Sequence, residues 1–151
     1  MPNLSHLTIQ LQQFYLNGHD WQRIIVDNIP KIKIFHLKMN INFYFGSHKQ
    51  KQIDILLDSF RTQFWLEERQ WFVRCDWNSF ESYDADILYT LPYAFGDFIY
   101  HDKCNSKSTC PNETYFRCYD LLDQLISIDI RFLPMDLSFT QLQMLLDRST
   151  R

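Results

Sequence analysis

Four side chains with affinity for soft metals fall within 18 residues of one another: His101, Cys104, Cys110 and Cys118. Thiolate and imidazole are the ligands that tetrahedral zinc takes. The intervening lengths are two, five and seven residues, and the paired Cys-x2-Cys spacing that marks a zinc site is missing from the cluster. Loop thiols beside a surface histidine are the better reading, a small zinc-binding module the lesser one, and no metal ligand is assigned. Cys75 alternates in step with Trp71 and Trp77, which reads as a small buried hydrophobe rather than a nucleophile. A reactive cysteine needs neighbours that favour its thiolate, and no such setting is legible. Glu67-Glu68 and Asp84/Asp86 are carboxylate pairs. General acid–base work needs two carboxyls in different surroundings, whereas near neighbours in sequence are solvated charge. Lys49-Gln50-Lys51 reads the same way, as a basic turn. No catalytic residue and no cofactor is assigned, and the expectation is a protein without catalytic activity.

The elements around these residues carry a clearer pattern. Pro2 to Leu11 is echoed by Pro30 to Met39, with each apolar position moved by 28: Leu4 to Ile32, Leu7 to Phe35, Ile9 to Leu37, Leu11 to Met39. Apolar residues at relative positions one, four, six and eight, with a period between about 20 and 29, form the leucine-rich-repeat pattern. Leu4 to Leu11 alternates as a strand does. Asp20 is a candidate N-cap for a helix from Trp21 to Ile29, and Pro30 stops it. Ile32 to Phe45 reads as a second strand, which a right-handed crossover would place parallel to the first and beside it. Gly46 to Gln52 reads as a polar turn. Ile53 to Leu66 reads as a helix with Ile53, Leu56, Leu57, Phe60, Phe64 and Trp65 along one stripe.

Further on, Trp71, Val73, Cys75 and Trp77 share one face of a strand, with Phe72, Arg74 and Asp76 on the other. Ile87 to Pro92 is another strand, and these two read as an antiparallel hairpin. His101 to Thr114 reads as a polar loop, Tyr119 to Phe132 as strand or helix, and Phe139 to Leu146 as a short helix.

The chain has 151 residues, is 46% hydrophobic and carries a net charge of −3. That composition fits one folded domain. The acidic balance supplies no basic footprint for nucleic acid, and three glycines are too few for a phosphate-cradling loop. No apolar run reaches the roughly 20 residues that a membrane helix needs, and no targeting segment is visible. Four cysteines are too sparse for a disulfide scaffold. An intracellular protein, cytoplasmic or nuclear, is expected.

Glu67-Glu68-Arg69-Gln70-Trp71-Phe72-Val73-Arg74-Cys75-Asp76-Trp77, Leu88-Tyr89-Thr90-Leu91-Pro92-Tyr93-Ala94-Phe95 and Ser106-Lys107-Ser108-Thr109-Cys110-Pro111, together with the opening repeat, resemble a large invertebrate set of F-box-like leucine-rich-repeat proteins. The resemblance runs from about Pro2 to about Leu121. It implies the substrate-recognition part of a cullin–RING ubiquitin ligase subunit. A Skp-type adaptor would dock only through an F-box, which this chain does not contain.

The expected fold is therefore α/β: a single domain over 1–151, with a short leucine-rich-repeat-like array of parallel strands and helices on one face. Repeat units fall at about 2–29 and 30–66, an antiparallel strand pair is inserted around Trp71 to Leu91, and 122–151 is atypical. In such an array the outward strand positions meet a protein partner. Those are Ser5, His6, Thr8 and Gln10 on the first strand and Lys33, His36, Lys38 and Asn40 on the second. His6, Thr8, Gln10, His36, Lys38 and Asn40 are the candidate partner-binding residues. The alternatives are a stand-alone repeat scaffold or gene fragment without a ligase link, and the zinc-binding module above.

Overall fold

The computed structural model describes residues 4–12, 15–43, 48–78, 86–95 and 105–111, and the backbone alone of 127–130. Alternation of Leu7, Ile9 and Leu11 with polar residues makes His6–Gln12 a strand, β1, with its apolar side buried. Helix α1 spans Gly18–Asn28. Its N-cap is Asn17, whose Oδ1 accepts from the Asp20 N–H at 2.9 Å. Asp20, expected as the cap, lies instead inside the first turn, where its carboxylate complements the helix dipole and pairs with Arg23 at 2.9 Å. Gly18, Trp21, Ile24 and Ile25 form its buried stripe. The Ile29 N–H closes the helix on the Ile25 carbonyl, and Pro30 follows. Lys33 and Ile34 then donate to the Ser5 carbonyl and open β2, Ile34–Ile41.

The register between these strands is the 28-residue step read from the sequence. Leu7 lies beside Phe35, Ile9 beside Leu37 and Leu11 beside Met39, in parallel. The periodicity thus recorded a physical alignment. Residues that occupy equivalent places under one helix must be spaced by one full strand-helix-strand circuit.

The second circuit differs. The apolar stripe expected as one helix from Ile53 to Leu66 is broken. Helix α2 spans Lys49–Ser59 and so begins within the expected turn, and a π-helical turn follows at Phe64–Glu68. The break has a local cause. The Ser59 hydroxyl donates to the Leu56 carbonyl at 2.5 Å and competes with helix continuation. Gln70 then takes a positive φ of 54°, a left-handed conformation uncommon outside glycine, and turns the chain. Arg69 fixes this turn by donating to the carbonyls of Ile32 at 2.6 Å and Pro30 at 2.7 Å. Its guanidinium also lies over the rings of Phe64 and Trp71.

Strands β3 (Val73–Trp77) and β4 (Asp86–Thr90) pair antiparallel, as expected. The polar segment around Asn105 holds a further strand, β5 (Asn105–Ser108), and β6 is Ser127–Ile130. The six described strands form one mixed sheet in the order β5-β3-β4-β2-β1-β6. The two described helices lie on one face. Trp21 of α1 packs against Phe35 with ring centres 5.4 Å apart and the rings tilted at 55°, and Lys49 of α2 reaches Asp86 of β4 at 2.8 Å.

The leucine-rich-repeat array is not what forms. A next repeat would lay its strand parallel against β2. Here β4 lies there, antiparallel. β3 runs in the direction of β2, as a repeat strand would, but is one strand away. The sheet is a mixed α/β layer rather than a solenoid. The Thr90 hydroxyl seals the intercalated strand, accepting from the Leu37 N–H at 2.9 Å.

Candidate partner-binding face

The strand positions opposite the core-facing ones bring the six candidate residues to the sheet face away from α1 and α2. Thr8 lies beside His36, Gln10 beside Lys38 and Gln12 beside Asn40, with His6 beside Ile34. They form two adjacent polar rows in the middle of the sheet. His6, Thr8, Gln10, His36 and Asn40 are half-buried, and Lys33 at the entry to β2 is exposed.

Lys38 departs from the expected outward position in its surroundings. It is only 4% exposed. Its Nζ donates to the Tyr93 hydroxyl at 3.0 Å and lies 5.6 and 5.8 Å from the ring centres of Tyr93 and Phe95. Desolvating an ammonium is costly unless a hydrogen bond and aromatic faces replace water, and both are present. Tyr89 lies directly across the ladder from Lys38 and meets Tyr93 edge to face at 5.0 Å. The Tyr89 hydroxyl donates to Asp76 Oδ2 at 2.8 Å, and Asp76 Oδ1 accepts from Arg74 Nε at 3.0 Å. A polar and aromatic chain thus crosses three strands, from Arg74 through Asp76, Tyr89 and Tyr93 to Lys38. Burial pushes the Tyr89 phenol up from its ordinary range, and the Asp76 carboxylate, as a neighbouring charge and as acceptor of its hydrogen bond, adds to the rise.

Sequence reasoning placed Arg74 and Asp76 on the face away from Cys75 but assigned them no role, and missed Tyr89 and Tyr93. The parity of β3 held the signal for Arg74 and Asp76. Joining them to Lys38 requires the antiparallel register of β4, which local spacing does not encode.

Two polar atoms on this face are shielded from solvent with no hydrogen-bond partner among the described residues: His6 Nε2 and Asn40 Oδ1. The other imidazole nitrogen of His6, Nδ1, is 2.8 Å from the Ser5 hydroxyl. An unpaired buried polar group costs about 1–3 kcal/mol. Trp21 Nε1, on the helix side, is the third such atom.

Cys75 lies on the opposite face, fully buried. Desolvation pushes its thiol well above the ordinary range, and the Asp86 and Asp76 carboxylates push in the same direction. A thiol held in its neutral form is no nucleophile. Glu67 and Glu68 are exposed, as a solvated pair should be. Two expectations need correction. Lys49 is not solvated turn charge, and Asp86 is not a solvated carboxylate. Lys49 sits in the first turn of α2, and its ammonium pairs with Asp86, which is 4% exposed. It also donates to the Asn78 carbonyl at 3.0 Å. The pair fastens α2 to the intercalated strand. Of the cysteine cluster, Cys110 is half-buried, while His101, Cys104 and Cys118 lie outside the described residues, as do Asp84 and the expected helix from Phe139 to Leu146.

Among the described residues no helix is long and apolar enough to cross a membrane, and no group of three His, Cys, Asp or Glu side chains could hold a metal ion. Comparison with protein-family models, curated proteins and solved structures finds no significant match.

Proposed function

We propose that this chain is a non-catalytic protein-recognition domain that meets its partner on the sheet face away from α1 and α2. We propose further that it serves as the substrate-recognition part of an F-box-like subunit of a cullin–RING ubiquitin ligase. The observation that carries the first statement is the parallel register of β1 and β2. It sets Thr8 beside His36 and Gln10 beside Lys38, with His6 and Asn40 at the ends of the two rows, as a polar surface on the sheet. Lys38 is the internal anchor of that surface, held by Tyr93, and the contact falls to the half-buried residues around it. Hydrogen-bonding side chains on a stiff support suit recognition. The buried, neutral Cys75 offers no bond-making chemistry. The second statement rests on the sequence resemblance alone.

A second reading, a stand-alone recognition domain without a ligase link, is favoured by one observation. The intercalation of β4 beside β2 departs from the repeat array that the resemblance implies.

Affinity capture separates them. The bait would be the wild-type chain, a Thr8→Arg/Gln10→Arg variant checked for folding by circular dichroism, and the chain joined to an F-box. The expected result is a partner lost with the variant, and a Skp-type adaptor and cullin recovered only with the F-box form bound to that same partner. A partner indifferent to the variant would remove the face from the proposal. A partner that the ligase neither binds nor ubiquitinates through the F-box form would leave the stand-alone reading.

A further inference from the structure

No further inference is drawn: the strongest candidate, the clasp of Tyr89, Tyr93 and Phe95 around the buried Lys38 on the sheet face away from α1 and α2, belongs to the face already described, and nothing among the described residues shows what covers it.

Discussion

Two strand-helix-strand circuits share β2 and begin alike, each with an 11-residue helix, yet they end differently. The first returns after 28 residues and lays β2 directly against β1. The second starts β3 39 residues after β2 and leaves a gap one strand wide, which β4 fills. The difference lies in the return path. Five residues separate α1 from β2, and 13 separate α2 from β3. The longer return holds the π-helical turn, the left-handed Gln70 and the Arg69 clasp. A tight return makes a parallel neighbour, while a long and anchored one makes room for a hairpin. The first circuit is therefore held by apolar register, and the second by specific polar ties at its corners.

The largest way to break that contrast is at Trp65. It is fully buried, packs on Phe35, Phe60, Phe64 and Trp71, and donates from Nε1 to the Gly18 carbonyl at 3.0 Å. Trp65→Ala is expected to cost about 3–5 kcal/mol in chemical denaturation; a loss below about 1 kcal/mol would show that the return path is not what holds the second circuit.

Next comes the Lys49–Asp86 pair, whose two halves should behave unequally. Lys49→Ala removes the ammonium partner of a carboxylate that is 4% exposed, leaving it the Asn78 N–H at 3.3 Å, and is expected to cost about 3 kcal/mol. Asp86→Ala leaves a lysine able to reach water and should cost about 1 kcal/mol. Equal losses would contradict the geometry.

Gly18 sharpens the comparison by sign. In an exposed helix, Gly→Ala gains up to about 1 kcal/mol. Here a Cβ would overlap the Ser59 carbonyl and the Phe60 nitrogen, which are backbone and cannot swing aside. Gly18→Ala should therefore destabilise by about 2 kcal/mol, read from the same denaturation curves.

Alkaline pH tests the strands of the second circuit. Burial raises both Cys75 and Tyr89 above their ordinary values. The folded chain thus keeps protons that the unfolded chain gives up. Their contribution is complete below the unfolded values of about 8.5 and 10 and declines as pH rises past each, by up to about 1.4 kcal/mol per pH unit for each group. Cys75→Ala should remove the earlier decline and Tyr89→Phe the later one. A stability profile in which neither variant flattens its part of the decline would sink this account. Native Cys75 should also resist iodoacetamide at pH 8 until denaturant is added.

The smallest effect is expected at the sheet edge. The Lys107 hydrogen bond and charge hold the Asp54 carboxyl below its usual range, at a separation of 2.7 Å. Both groups are well exposed, so Lys107→Ala should cost only a few tenths of a kcal/mol, less in high salt. The sign is that of a depressed acid: the contribution is present above the usual aspartate range and fades as pH falls through the folded value. NMR titration of Asp54 should show its midpoint rise in the variant.

What was legible in the chain follows the same division. Leu7, Ile9 and Leu11 repeat at Phe35, Leu37 and Met39 because both sets pack under one helix, so the register of the first circuit was readable residue by residue. The alternation of Val73, Cys75 and Trp77 likewise gave β3 its faces. The intercalation of β4 was not readable, since it depends on Thr90 meeting Leu37 53 residues away. Asn105–Ser108 has no apolar pattern, because an exposed edge strand buries almost nothing. Lys49 and Asp86 each look like ordinary surface charge until the fold brings them together. On the candidate face, the two polar rows followed from strand parity, whereas the tie from Asp76 to Tyr89 is a long-range product of pairing.

Intercalation also bears on how such a chain could grow. Both outer edges of the parallel pair are occupied, by β4 against β2 and by β6 against β1. A tandem duplication of the 28-residue segment would have nowhere to add its strand without evicting one of them, and its copied helix would lack the single Ser59 hydroxyl that receives the Gly18 N–H at 2.7 Å. Variation in this architecture is therefore easier in the side chains on the sheet than in the number of strands beside the parallel pair.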